Sequence, residues 1–214
     1  MRVMHIIPAA FDYFKDIEKE AFALADEIER LEIAAEPVKS DTITLQYGAP
    51  TRAEKSMVAA SAPGREYQGQ FPTVEIVNQF ADYDIVHLHT PFLGNAKILM
   101  KWKKENPGQP FVITYYRDVL LPDLFAHILK WYNAYYLPKL FNLADTVVCF
   151  SLEDFNKSLG SKYLQDKDRL ISLEEIEEER DEMDLTEDGD HVKLDKRKVA
   201  ATKLLQIYNF LLQV

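Results

Sequence analysis

Short apolar runs alternate with longer amphipathic segments along this chain. The runs occupy residues 3–7, 84–89, 111–115 and 146–150, and each is only five or six residues long. Apolar runs of this length are typical of strands in a parallel sheet, which is buried because helices cover it. The alternation therefore predicts a single α/β domain whose doubly wound, Rossmann-like parallel sheet carries helices on both faces.

The longest amphipathic segment follows the first strand. Its apolar side chains recur at spacings of three and four residues, the pattern of one helix face, and they are Phe14, Ile17, Ala21, Leu24, Ile28 and Leu31. Asp12 precedes them and is expected to cap the helix. This segment predicts a helix of about five turns that packs against the sheet.

The segments between the later strands predict further helices. Shorter helices are expected at residues 73–80 and 95–105, and a long aromatic helix or pair of helices is expected to end at Phe141. Residues 37–72 contain several prolines and glycines and are expected to be irregular, apart from a strand at residues 42–45. The repeated order of strand and helix agrees with the α/β prediction.

Length and composition indicate one large domain followed by a tail. The chain has 214 residues, of which 47% are hydrophobic, and this is enough for one core. We divide it into a domain at residues 1–170, an acidic linker or exposed helix at residues 171–197, and a C-terminal helix at residues 198–214. Leu204, Tyr208 and Leu211 recur at spacings of four and three, so they are expected to lie on one face of that last helix.

Charge is distributed unevenly along the chain. The net charge of −10 argues against a nucleic-acid partner. Eleven acidic residues and one arginine lie between Glu174 and Asp190, where they form either a solvated linker or a surface for a basic partner. Residues 97–140 are locally basic, with seven basic and three acidic side chains among many aromatic ones. They form either an ordinary half-buried helix or a peripheral contact with a membrane.

The cysteine content and the first residues bear on the compartment. Cys149 is the only cysteine and lies in a predicted buried strand, which excludes a disulfide framework and favours a reducing compartment. Residues 1–8 fit a first strand better than a signal peptide, and no run approaches the roughly 18 apolar residues that span a bilayer. We therefore expect a cytoplasmic protein, at most peripheral to the inner face of the membrane.

Four loops are expected to meet at the carboxyl edge of the sheet. They follow predicted strands, at residues 8–12, 89–92, 116–118 and 151–154. Ligands of doubly wound sheets bind beyond the carboxyl ends of the strands. We therefore expect the functional site at this edge.

Three segments that lead to this edge carry ordered motifs. They read DIVHLHTP at residues 84–91, VITYYRD at residues 112–118 and ADTVVCFS at residues 144–151. In order and spacing they resemble the N-terminal, acceptor-side domain of a family-4-type GT-B glycosyltransferase, and the resemblance extends over about residues 1–170. It implies a nucleotide-sugar-dependent transferase whose donor-binding domain is not found in the remaining residues. It also implies that the C-terminal helix returns to pack on the first domain.

The resemblance assigns candidate acceptor-binding residues. They are Ala10, Phe11, His89, Thr90, Tyr116, Arg117, Asp118 and Ser151. Two positions depart from the family pattern. Ala10-Phe11-Asp12 replaces a glycine pair that lets backbone amides approach the donor phosphates, and Tyr116 replaces a histidine. No catalytic residue is assigned, because a tyrosine is a poor proton acceptor at neutral pH.

His87 and His89 lie two residues apart and face the same side of their strand, as in some metal sites. A metal site needs further ligands, and His5, His127 and His191 have no cysteine or carboxylate cluster near them in sequence. We therefore predict no metal, a packed His87 and a His89 that lines the rim. No cofactor is predicted either, because the chain lacks the glycine-rich dinucleotide fingerprint.

Two classes of function remain open at this point. The first is a glycosyltransferase-related protein that keeps its acceptor face, is inactive in sugar transfer alone and needs a donor-binding partner subunit. The second is a non-catalytic binding or regulatory module, for which a stable homo-oligomer is expected. A deliberately shortened chain is a third alternative. If the edge is functional, Asp118→Ala is expected to weaken ligand binding and to leave thermal stability nearly unchanged.

Overall fold

A computed structural model describes residues 1–7, 15–35, 43–46, 79–92, 96–118, 124–174 and 189–213. Six strands form one sheet: β1 (Val3–Ile7), β2 (Ile43–Gln46), β3 (Ile85–Thr90), β4 (Phe111–Tyr115), β5 (Thr146–Cys149) and β6 (Leu170–Ser172). Their order across the sheet is β2-β1-β3-β4-β5-β6, and every neighbouring pair is parallel. The predicted α/β, Rossmann-like fold is confirmed.

Helices connect the strands. They are α1 (Lys15–Ala35), α2 (Ala96–Glu105), α3 (Leu124–Leu143), α4 (Leu152–Lys157), α5 (Gly160–Tyr163) and α6 (Gly189–Leu211), with short 3-10 turns at Gln79–Asp82 and Lys167–Arg169. The aromatic segment is one helix, α3, with Pro138 inside it. Within the described ranges, no helix is both long enough and apolar enough to cross a membrane.

The order of the strands reverses beside β1. β2 lies on one side of β1 and β3 lies on the other. The chain therefore continues from β1 towards one edge of the sheet and from β3 towards the other edge. The carboxyl ends of strands at such a switch point form a crevice in which ligands bind. The carboxyl ends of β1 and β3 are therefore a favoured place for a site.

One face of the sheet packs against α2 and α3. Successive side chains of a strand point to opposite faces, so alternate strand residues form this half of the core. The strand residues are Met4, Ile6, Val86, Leu88, Ile113 and Val147, and the helical residues are Leu99, Trp102, Leu140 and Phe141. All of them are buried.

The opposite face packs against α1 and α6, which also contact each other. Its apolar residues are Val3, Leu24, Ile28, Ile85, Val112, Val148, Ala201, Leu204 and Tyr208. Towards the carboxyl edge this face carries Ile7 and a group of polar residues, namely His5, His87, His89, Thr114 and, just after β4, Tyr116. This face therefore contains a polar cluster inside an apolar core.

The C-terminal part of the chain contains two elements, β6 and α6, whose bounds differ from the predicted linker and helix. β6 gives no sequence signal, because its three residues are only partly buried and form no apolar run. α6 begins at Gly189 and not at residue 198. Residues 175–188, most of the acidic run, lie outside the described residues, as do Asp12, Phe14 and residues 73–78 of a predicted helix.

Cys149 ends β5 and is buried, as its sequence context predicts. Burial raises the pKa of its thiol to about 12, and the nearby Glu174 carboxylate adds to the increase. The thiolate is the reactive form of cysteine, so a thiol with this pKa is inert at neutral pH.

Candidate functional site

Two neighbouring strands deliver candidate residues to the carboxyl edge. Tyr115 at the end of β4 pairs with Cys149 at the end of β5, so the chain leaves both strands at the same level. The rings of Tyr116 and Phe150, the next residue in each case, lie 5.2 Å apart. The predicted convergence of these two loops is therefore present.

Arg117 and Ser151 are accessible at this edge. The guanidinium of Arg117 is 58% exposed and lies 3.4 Å from the Asp16 carboxylate at the start of α1. Ser151 caps α4, where its hydroxyl accepts a hydrogen bond from the Asp154 amide at 3.3 Å. Both side chains are held only by weak surface contacts, so both are available to a ligand.

Asp118 is engaged within the protein. Its Oδ1 accepts a hydrogen bond from the Tyr115 hydroxyl, and its Oδ2 accepts one from the Leu159 amide at 2.8 Å. Tyr115 is buried, and its pKa is raised by burial and by the Asp118 carboxylate. Asp118 thus ties the end of β4 to the segment between α4 and α5, which argues against the expectation that its removal leaves stability unchanged.

We predict that Asp118→Ala lowers the free energy of unfolding by about 1–3 kcal/mol, because two hydrogen bonds are lost and one involves a buried phenol. Urea unfolding measures this change. The neighbouring variant Arg117→Ala is the control and should alter stability by less than about 0.5 kcal/mol, since its partner is an exposed carboxylate. Equal stability of the two variants would show that Asp118 is not structural.

Three histidines come together at the switch point. The parallel register pairs His5 of β1 with His87 of β3, and His89 lies two residues further along β3 on the same face. His5 Nδ1 and His89 Nε2 are 3.0 Å apart, and His89 Nδ1 lies 2.9 Å from the Tyr116 hydroxyl. The rings of His87 and His89 stack with centroids 4.2 Å apart.

His87 joins the cluster to α6. Its Nε2 lies 2.7 Å from the Thr114 hydroxyl of β4, and its Nδ1 lies 2.5 Å from the Tyr208 hydroxyl of α6. Hydrogen bonds of the cluster therefore link β1, β3, β4 and α6. The stacked rings of His87 and His89 join the two sets of hydrogen bonds. The sequence position of Tyr208 on an apolar helix face gives no sign of this polar contact.

Burial keeps the cluster uncharged. It lowers the pKa of His5 to about 3 and the pKa of His87 and His89 well below the usual value, with repulsion among the imidazoles adding to the decrease for the latter two. Burial also raises the pKa of Tyr116 well above its usual value, with the Glu20 carboxylate adding to the increase. At neutral pH the cluster therefore consists of neutral imidazoles and protonated phenols.

The remaining candidate residues differ in their accessibility. His89 and Thr90 are fully buried, so His89 is packed as closely as His87 and does not line the rim. The reason is that α1 and α6 cover this face up to the end of β3. Thr90 donates its hydroxyl to the Thr114 carbonyl at 3.0 Å, and a cis peptide joins it to Pro91. Ala10 and Phe11 lie outside the described residues.

Sequence comparison adds no relative. No protein-family model matches this chain, and no curated protein matches it either. The function must therefore be argued from the residues of the site.

Proposed function

We propose that this chain is the acceptor-side domain of a GT-B-type glycosyltransferase, and that a donor-binding domain from outside these residues completes the enzyme. The observation that carries the proposal is the placement of the three motifs from which the resemblance is drawn. They end on β3, β4 and β5, which are adjacent strands of one parallel sheet. Their last residues therefore share the edge where doubly wound folds bind ligands.

The position of α6 supports the same proposal. The resemblance implies a C-terminal helix that returns to the first domain, and α6 packs on α1 and on the sheet. Tyr208 and Leu204 of α6 are fully buried there. A helix held in this way is part of the domain's core and is not a detached tail.

The accessible chemistry of the edge suits binding better than proton transfer. Arg117 offers guanidinium donors and Ser151 offers a hydroxyl, both of which suit the hydroxyl groups of a saccharide acceptor. Neither Asp118, with both oxygens engaged, nor the protonated Tyr116 is arranged to accept a proton. We therefore assign this edge to acceptor binding, with transfer dependent on the partner domain.

Arg117 provides the test. Titration of ¹⁵N-labelled protein with a panel of mono- and disaccharides is expected to give saturable amide shifts at Tyr116, Arg117 and Ser151. Arg117→Ala should weaken that binding by about 5-fold or more, because one hydrogen bond contributes about 1 kcal/mol. Its matched control is Arg30→Ala, since Arg30 is 73% exposed on α1 and also faces a carboxylate, that of Glu27 at 3.5 Å.

The two arginines separate the outcomes. Weaker binding in Arg117→Ala with unchanged binding in Arg30→Ala supports the acceptor edge. Equal effects of the two variants would contradict it, as would saturable shifts confined to residues away from Tyr116, Arg117 and Ser151.

A second surface favours contact with an anionic membrane. On α3, Trp131 and Tyr135 are exposed and stacked, and the Lys139 ammonium lies 3.2 Å from the Tyr135 ring centroid. The adjacent α2 presents a shallow depression lined by Lys97, Met100, Lys101, Lys104 and Glu105. Exposed aromatic rings beside lysines are typical of peripheral membrane surfaces. We propose that this surface holds the domain at the inner face of a membrane in the cytoplasm.

Sedimentation with lipid vesicles tests the membrane contact. Binding is expected to phosphatidylcholine vesicles that contain phosphatidylserine, and it should weaken as salt is added. Trp131→Ala and Lys101→Ala should each reduce it, whereas Lys167→Ala, which alters an exposed lysine on the turn before β6, should not. Equal binding to vesicles without phosphatidylserine, or equal effects of all three variants, would contradict the contact.

A further inference from the structure

We propose that His5, His87 and His89 bind one divalent transition-metal ion, for which Zn²⁺ fits best. One ring nitrogen of each histidine can be chosen so that the three atoms all lie within 4.8 Å of one another, and all three side chains are buried. Imidazole nitrogen is a preferred ligand of Zn²⁺, and a set of three histidines is an established zinc site composition. This inference does not rest on the proposed function.

The rings of His5 and His89 lie close enough to share one metal ion. Zn–N bonds of about 2.0–2.1 Å in tetrahedral geometry place two ligand nitrogens roughly 3.3 Å apart. His5 Nδ1 and His89 Nε2 are 3.0 Å apart. The His87 ring stacks on His89 with centroids 4.2 Å apart, so its nitrogens lie near the same point.

One nitrogen of the cluster lacks a protein partner. His5 Nε2 is fully buried and has no hydrogen-bond partner among the described residues. A buried polar atom without a partner costs about 1–3 kcal/mol, which is unusual in a well-packed core. An ion bound through His5 Nε2 removes this cost, because that nitrogen then has a partner.

The surrounding hydroxyls would orient the ligands. When an imidazole binds a metal through one nitrogen, its other N–H is usually held by a hydrogen-bond acceptor. His89 has the Tyr116 hydroxyl at Nδ1, and His87 keeps either Thr114 or Tyr208 after giving one nitrogen to the ion. These contacts supply the outer shell that metal-binding histidines require.

The cover over the site separates the ion from bulk solvent. α1 and α6 close this face of the sheet, and His87 contacts Tyr208 of α6. An ion at this point joins β1 to β3 and stabilises the docked α6. Three protein ligands leave one coordination position, which water fills in zinc sites of this composition.

Cobalt substitution gives the direct test. Full-length protein without an affinity tag is unfolded with a chelator, then refolded with Co²⁺ or with Zn²⁺. We expect one Co²⁺ per chain with the intense visible d–d bands of four-coordinate cobalt. Zn²⁺ should displace it and raise the melting temperature, and a chelator should reverse the rise.

Ligand variants and one independent measurement identify the site. His5→Asn and His89→Asn should each weaken binding by at least about 100-fold, since even outer-shell changes weaken metal sites by 10- to 100-fold. His127→Asn is the control, because His127 is exposed on α3. X-ray absorption of the Zn²⁺ form of the unsubstituted protein counts the imidazoles without any variant. It should find three at about 2.0–2.1 Å.

The outcomes separate clearly. Three bound imidazoles, or loss of binding in the His5 and His89 variants with retention in His127→Asn, support the proposal. Refolded protein that binds no Co²⁺ or Zn²⁺, an ion with fewer than three imidazoles, or equal binding by all variants would overturn it.

Discussion

Tyr208→Ala is expected to lower the free energy of unfolding by about 3–5 kcal/mol, the range for removal of a fully buried aromatic side chain. Tyr208 has 0% exposure and fills the space between α6 and the sheet. Its hydroxyl also contacts His87 Nδ1 at 2.5 Å, so the variant leaves a cavity and an unpaired imidazole nitrogen together. Chemical denaturation followed by circular dichroism measures the loss.

Two further substitutions divide this effect into its parts. Tyr208→Phe keeps the ring and removes only the hydroxyl, and it should cost about 1–3 kcal/mol. Phe210→Ala removes an aromatic ring from the same helix at a position that is 66% exposed, and it should change stability by less than about 0.5 kcal/mol. If Tyr208→Ala were as stable as Phe210→Ala, α6 would not be docked on the sheet as described.

Lys103→Met should lower the free energy of unfolding by about 2–4 kcal/mol. The Lys103 side chain is only 5% exposed, and its ammonium donates to the Pro107 carbonyl at 2.9 Å and the Gln109 carbonyl at 2.6 Å. It also contacts the Asp145 carboxylate at 2.7 Å. Methionine has a similar volume, so the loss measures these polar contacts and not a cavity.

The same segment joins three parts of the fold. Asp145 also accepts a hydrogen bond from the Phe111 amide at 2.7 Å, so Lys103 links α2, the start of β4 and the start of β5. Lys104→Met is the matched control, because Lys104 follows directly in α2 and is exposed. It should change stability by less than about 0.5 kcal/mol, and an equal loss in both variants would contradict the role given to Lys103.

The sheet could be predicted from sequence because its strands are fully buried. β1, β3, β4 and β5 consist of residues that are all buried, and such strands give the short apolar runs that mark a parallel sheet. β6 could not be predicted in this way. Its residues are partly or wholly exposed and it is fixed by pairing with β5, which is a tertiary contact and leaves no periodic pattern.

The histidine cluster could be predicted only in part. His87 and His89 show by their spacing that they share a face, but the third imidazole comes from β1, more than eighty positions away in the chain. The sequence therefore did not reveal that His5 lies beside them, since sequence distance says nothing about parallel strand pairing. An assumed pairing of β1 with β3 would have placed His5 beside His87.

The role of Asp118 shows a different limit. Its position at the carboxyl edge was a correct prediction, but position does not reveal what a side chain contacts. Leu159, which donates its amide to Asp118, lies in a segment with no motif, and Tyr115 ends a strand that is mostly apolar. Arg117 is therefore a better test of the edge than Asp118, because its partner among the described residues is the exposed Asp16.

Calorimetric titration of the purified chain with UDP-glucose, UDP-N-acetylglucosamine and GDP-mannose tests the central claim most directly. In the proposed function another domain binds the donor phosphates, and Ala10-Phe11-Asp12 stands where the resemblance implies a glycine pair, so we predict no saturable heat with any of these nucleotide sugars. Saturable binding of any one of them, at one site per chain, would contradict the account. It would place the donor site within these residues.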